Sequence, residues 1–395
     1  KAVAVLLLSV LCVRTAASQG VTVPVVASNE IKIGNITCAT GWGREYTAVA
    51  RAKTAYFQMI NDRGGVNGRM IKFISLDNGC DNQKSLDLAK QLAEQDGVLL
   101  LFSVLGTEPN LAIRSYMNEK QVPQLFLESS FAVFDDPSHF PWTMGFFATH
   151  RTEGRAYGKY ILQNKPAGKI AVLSVDDDTG REFGAGLRDG LGGKASSMIV
   201  KEATYEDGAS NLDTQLHALK DSGADVFLNF TIGQFATMAI RKAFDLDWHS
   251  LQFIPNASIS IAAFLEPAGL TQATNIISNA HSKGWRSVQA QHDPAVHAFL
   301  EWMSRYNPDA NLRDQNNVAG YERAAALVEV LKACGHDLTR ANVMKKAASL
   351  DLELPMLRPG IRVETSPTDY QPIKQLFLIQ FNGKEWRPIE PVSRE

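Results

Sequence analysis

Short, almost wholly apolar runs alternate with amphipathic stretches along most of this chain, and few patterns restrict a fold more. "VLLLFSV" (98–104), "KIAVLSV" (169–175) and "DVFLNF" (225–230) place apolar residues at consecutive positions instead of alternate ones. Strands of that kind are covered on both faces, as in parallel sheets whose connections are helices. The intervening stretches read as those helices. In residues 44–62, Val49, Ala52, Tyr56, Met59 and Ile60 recur at three- and four-residue spacing.

The order of elements then gives the architecture. "IKIGNI", "MIKFISLD", "VLLLFSV" and "PQLFLES" are read as four strands with helices between them; "KIAVLSVDD", "MIVKEATY", "DVFLNF" and "LQFIPN" repeat the scheme, and "QLFLIQF" is a last strand. A chain of 395 residues exceeds what one core usually organises. The expectation is an α/β protein of two doubly wound parallel-sheet lobes joined by several crossings. The crossings are placed near 145–149, 278–280 and 373–375. One lobe then takes residues 28–147 plus 280–374 and the other 148–279 plus 375–395.

Residues 1–18 have the layout of a secretory signal peptide: Lys1, an uncharged apolar run from Ala2 to Val13, then small residues at Ala16, Ala17 and Ser18. The run is shorter than the about 20 residues a membrane helix needs. The expected location is therefore the periplasm, where disulfides persist. Cys38 and Cys80 fall at the carboxyl ends of the first two strands, neighbours in a doubly wound sheet, and are expected to be bonded, leaving Cys334 free. A net charge of −2 without any Lys/Arg cluster points away from nucleic acid and acidic membrane surfaces.

Motifs of covalent or cofactor chemistry are not found. The turn "GNITCATGWG" lacks the glycine spacing of a dinucleotide site, and no phosphate-binding loop, H-E-x-x-H or G-x-S-x-G occurs. The eight histidines are scattered, and Asp176, Asp177 and Asp178 read as a solvated strand end. No catalytic residue, metal or cofactor is expected. Three Asn-x-Ser/Thr sequons begin at Asn35, Asn229 and Asn256, and are read as polar residues of the cleft. The turn "LGTEPN" is the best candidate for a binding feature: a strand ends at Gly106, a helix follows, and its first N–H groups converge where an anion can sit.

"GGVNGRMIKFISLDNGCDNQKSLDLAKQL", "VLLLFSVLGTEPNLAI", "KIAVLSVDDDTGREFGAGLRDGL", "SGADVFLNF" and "LELPMLRPGIRVETSPTDYQPIKQ", in that order and spacing, make the chain resemble type I solute-binding proteins of ABC importers, in the branched-chain (hydrophobic) amino acid binding family. The resemblance implies two lobes joined by a hinge with the ligand cleft between them, in a monomer that captures a small molecule there and delivers it to an inner-membrane ABC permease. It places the loops 38–43, 106–110 and 128–131 at the cleft. Thr107, the N–H groups after Gly106 and Ser130 are then expected to hold a ligand carboxylate, with Ser129 and Phe131 beside them. In the second lobe the implied ligand contacts are Thr179, Thr231, Asn256 and Ser258. Relatives carry an acid for a ligand ammonium where this chain has the uncharged 256–258, so Glu128 is either a substitute for it or a solvent-facing loop carboxylate. Trp42 and Trp142 are read as an aromatic wall or as ordinary packing.

The missing acid favours a small hydrophobic or aromatic carboxylate as the ligand. A branched-chain amino acid, or a ligand-sensing role for a separate membrane receptor, is the alternative. An enzyme on the same scaffold would turn over its ligand. A cytoplasmic sugar-responsive regulator would need a DNA-binding helix-turn-helix, and none is read in the sequence.

Overall fold

The strands β1 (Glu30–Thr37), β2 (Met70–Asp77), β3 (Leu100–Phe102), β4 (Gln124–Leu125) and β5 (Thr143–Met144) form a first sheet in the order β2-β1-β3-β4-β5, every pairing parallel. This is a computed structural model, and it describes residues 29–206, 208–286 and 290–389, without the side chains of Trp42 and Gln291. The expected signal peptide, 1–18, lies outside the described residues. Strand order reverses between β1 and β3, so the loops leaving their carboxyl ends part and open a crevice.

β3 and β4 stop earlier than their apolar runs suggest. Ser103 and Phe126 both have φ of 56°, a left-handed conformation costly for residues other than glycine. Neighbouring side chains hold Ser103 there: Asn35 Nδ2 donates to Phe102 O (2.9 Å) and Ser103 O (2.7 Å), and Lys53 Nζ donates to Ser103 O (3.1 Å). Asn35 is thus fully buried at the sheet's centre, a correction to its reading as a cleft residue.

Helices cover this sheet. α1 (Thr47–Asp62) lies against the long helix Asn316–Cys334 at Gly320, where a Cβ would stand 2.4 Å from Val49 O. The long helix is buried around most of its circumference, which explains why no single apolar stripe marks it. α2 (Asn82–Lys90) and α3 (Thr107–Glu119) share a second apolar layer with Ile36, Leu101 and Val104.

The second sheet contains β6 (Ile170–Val175), β7 (Ile199–Tyr205), β8 (Val226–Phe230), β9 (Leu251–Phe253) and β10 (Ile277–Ala280), flanked by α4 (His150–Asn164) and α5 (Asp178–Leu191). After a small antiparallel pair, β11 (Asp351–Leu352) with β12 (Val363–Glu364), the chain returns as β13 (Phe377–Phe381) and β14 (Trp386–Pro388). The order is β14-β13-β10-β9-β8-β6-β7. The last two strands are antiparallel, unlike the all-parallel sheet expected: Phe377 pairs with Ala280, the end of β10, so a strand entering there must run back along it. The chain passes between the sheets after Met144, after Ala280 and before Phe377.

Cys38 and Cys80 are joined by a disulfide, their Cα atoms 4.8 Å apart, while Cys334 is free and buried. Asn229, expected in the cleft, lies fully buried in β8, its Oδ1 accepting from Thr231 Oγ1.

Candidate functional site

A cavity of about 200 Å³ opens between the two sheets. Gly106 begins its floor. At φ 98° it turns the chain out of β3's continuation into α3, and Asn110 Nδ2 locks the turn by donating to Val104 O (2.8 Å) and Gly106 O (2.6 Å). Glycine offers no capping side chain, so the first N–H groups of α3 point from a positive helix end toward the cavity. Thr107 and Ser129 share a hydroxyl contact of 2.8 Å at its edge, and the carbonyl of Ser130 accepts from the His150 backbone at 2.8 Å. Gly106, Thr107, Ser129, Ser130, His150, Asn256 and Glu128 line the cavity.

Glu128 fits neither of its expected roles. Its side chain is 7% exposed and accepts from Lys53 Nζ (3.4 Å), Arg323 Nη2 (2.7 Å) and the Ser103 hydroxyl. One carboxylate therefore answers two buried cations, and burial lowers Lys53 from 10.5 to about 8. Arg323 also stacks on Phe147, its guanidinium carbon 4.2 Å from the ring centroid. The other lining carboxylate, Glu385, pairs with Arg387. Burial holds the two lining histidines, His150 and His281, neutral by pushing each down to about 3; Arg323 and Arg358 add to the effect at His281.

Several expected contacts lie elsewhere. Trp142 packs on the first core, where its backbone completes the pairing of β4, and Phe131 turns edge-on to Phe134. Thr179 is buried in the first turn of α5. Thr231 and Ser258 are fully buried within the second lobe, the Ser258 hydroxyl donating to Thr231 O at 3.0 Å. None of these five residues lines the cavity, although Ser129, Ser130, Ile232 and Asn256 from the same loops do. The Trp42 side chain lies outside the described residues.

The aromatic and apolar walls come from Tyr46, Phe147 and Trp285 with Val49, Ile259 and Val318. Tyr46 donates its hydroxyl to Ala257 O (3.2 Å), and Trp285 its ring N–H to Leu312 O (2.9 Å), so both rings are fixed. Sequence reading missed these residues together with Arg323 and Arg358. The only available signal was the segment 352–375, which carries Arg358 and had been noted for its order and spacing alone.

The lining thus combines guanidinium groups and hydroxyls with aromatic and aliphatic side chains, groups able to contact an acid and an apolar body. Among the described residues no group of His, Cys, Asp or Glu is arranged to hold a metal ion, and no helix is long and apolar enough to cross a membrane.

Residues 30–385 match the model of a family described as "Periplasmic binding protein". An "Amino acid binding protein" of Pseudomonas aeruginosa is 26% identical over 182 residues, covering 42% of this chain and 44% of that one. The chain spans about half the length of the curated relatives it matches, between 44% and 58% for the first two. A branched-chain amino acid ABC transporter protein from Thermus thermophilus, solved with bound valine, superposes with a TM-score of 0.80 at 14% identity over 92% of this chain and 96% of that one. A solute-binding protein of R. palustris in complex with benzoate gives 0.76 at 17% identity, over 91% and 95%. At such identities the superpositions speak for the fold.

Proposed function

Because the chain belongs to the periplasmic binding protein family, we propose that it is the extracytoplasmic solute-binding component of an ABC importer, which captures a small hydrophobic or aromatic carboxylate and delivers it to an inner-membrane permease. The observation that carries this reading is the state of Glu128. An α-amino acid brings an ammonium into the cavity, and stripping its water costs several kcal/mol unless an anion replaces it. Glu128 is already engaged by Lys53 and Arg323, and residues 256–258 are uncharged. A carboxylate meets the hydroxyls of Thr107, Ser129 and Ser130 and the N-terminus of α3, while its body meets Tyr46 and Trp285.

The solved relatives supply both options, one with valine and one with benzoate. A second reading, capture of branched-chain amino acids, is favoured by the names of the curated relatives. An apolar cavity of about 150 Å³ admits benzene, so the volume here suits either. Mass spectrometry of small molecules released from the purified protein separates the two. The expected result is an organic acid without an amino group; recovery of leucine, isoleucine or valine would overturn the carboxylate reading in favour of the second.

A further inference from the structure

The segment that leads back to the second lobe carries a guanidinium without a counter-ion. Arg358 N donates to His281 O (2.9 Å), which fixes the segment beside the end of β10. Its side chain lines the cavity, its Nε has no hydrogen-bond partner, and it forms no ion pair with any described residue. Nearby charges do not compensate it. His281 is held neutral, Lys283 is taken by Asp293 at 2.7 Å, and Arg286 is an exposed cation. Arg323 shares Glu128 with Lys53, and its own Nε is also unpartnered. Glu322, next to Arg323, is pushed up to about 8 by burial and accepts from the Ser282 hydroxyl, so it supplies little negative charge near neutrality. Lys53 and Arg323 thus share the Glu128 carboxylate, and Arg358 is left with none.

Arg358 is half-buried; a guanidinium partly withdrawn from water without a counter-ion is costly to keep, and its planar fork is matched by a carboxylate. We propose that Arg358 is the charge partner of the ligand's acid group and sets the ligand class as an organic monoanion with no ammonium. This rests on the reading of the cavity as a carboxylate site and adds to it a residue outside the strand-end loops. Lysine cannot replace the fork, because it presents one point charge on a flexible stem.

The test compares the full chain with R358Q and R358K, using benzoate, 4-hydroxybenzoate, octanoate, benzamide and valine as probes in thermal-shift assays and calorimetry. At least one acid is expected to bind the unaltered protein, with benzamide and valine silent. R358Q should weaken that acid about ten-fold or more, as loss of a hydrogen bond to a charged group does, and R358K should fall between. Without ligand, R358Q should melt no lower than the unaltered protein, since a half-buried cation with no counter-ion has been removed. Equal affinity of the acid for the unaltered protein and R358Q would overturn the role of Arg358 while leaving the carboxylate reading intact. A ligand-free R358Q that fails to fold or melts several degrees lower, with R358K binding the acid unchanged, would make Arg358 structural and likewise overturn the proposal. Binding of valine with no acid bound would remove the carboxylate reading and the proposal with it.

Discussion

Glu153 sits at the start of α4, where the second lobe begins, and its Oε1 accepts from Tyr157 Oη (2.8 Å), the Asn256 backbone N–H (2.6 Å) and the Asn279 amide. Burial, only partly offset by these bonds, raises it from 4.5 to about 7, and Glu322 rises from 4.5 to about 8 for the same leading cause. Their contribution to stability is complete below the unfolded value and is lost as pH rises through those folded values. His150 and His281, lowered from 6.5 to about 3, contribute stability that is complete above 6.5 and lost as pH falls toward 3. Between 4.5 and 6.5 the two trends oppose each other, and above 6.5 the carboxyl groups prevail. Lys53, lowered to about 8, opposes them only beyond that point. Urea unfolding should therefore give a lower stability at about pH 8 than at about pH 6, and Glu322→Gln should flatten the slope. A slope unchanged in that variant would exclude Glu322 as its source. Such residues also mark the limit of sequence reading. Glu128 and Arg358 have no motif that distinguishes a saturated carboxylate from a free one; only the approach of Lys53 and Arg323, 75 and 195 positions from Glu128 in the chain, does so.

Among elements, the strands were readable because a doubly covered strand must be apolar at successive positions; β2, β6 and β8 fall within the runs read for them, and β1 exceeds its run by one residue at each end. Ends of strands were less readable. β3 and β4 stop where Ser103 and Phe126 adopt left-handed backbone; at Ser103 the carbonyl is held by Asn35 and Lys53, residues distant in the chain that local composition does not reveal. The aromatic wall was misplaced for a related reason: Trp142 and Trp285 are both largely buried tryptophans, and only the fold puts Trp285, from the stretch after β10, beside the cavity. The bond between Cys38 and Cys80 ties the carboxyl ends of β1 and β2 across 42 residues. Closing a loop of that length is worth about 4 kcal/mol by chain entropy, and measured values usually run about 2 to 4. Cys38→Ser with Cys80→Ser should lower the unfolding free energy by that amount, and non-reducing peptide maps should show the two peptides linked. A stability within error of the parent would mean that the bridge constrains nothing important.

At the scale of the whole molecule, the two lobes also touch each other directly. Ser260 Oγ donates to Asp314 Oδ1 (2.8 Å), Ile261 N to Gln315 Oε1 (2.7 Å), and Ala132 N to Glu182 Oε2 (3.0 Å). Three chain passages and a cavity lined from both sides make relative motion of the lobes the expected response to ligand. Small-angle scattering should show a smaller radius of gyration with saturating ligand, and Ser260→Ala with Asp314→Ala should enlarge the ligand-free form. An identical radius in all these states would argue for a rigid molecule. The three passages have another consequence, for the order in which the chain can fold. The first core needs Ile373, and the second sheet is finished only by β14. A polypeptide still emerging from a ribosome, or still threading through a membrane, therefore holds two unfinished lobes at once. Neither can settle until nearly the last described strand arrives, so the growing chain stays pliable for most of its synthesis, and its apolar strands stay open to chaperones or to aggregation.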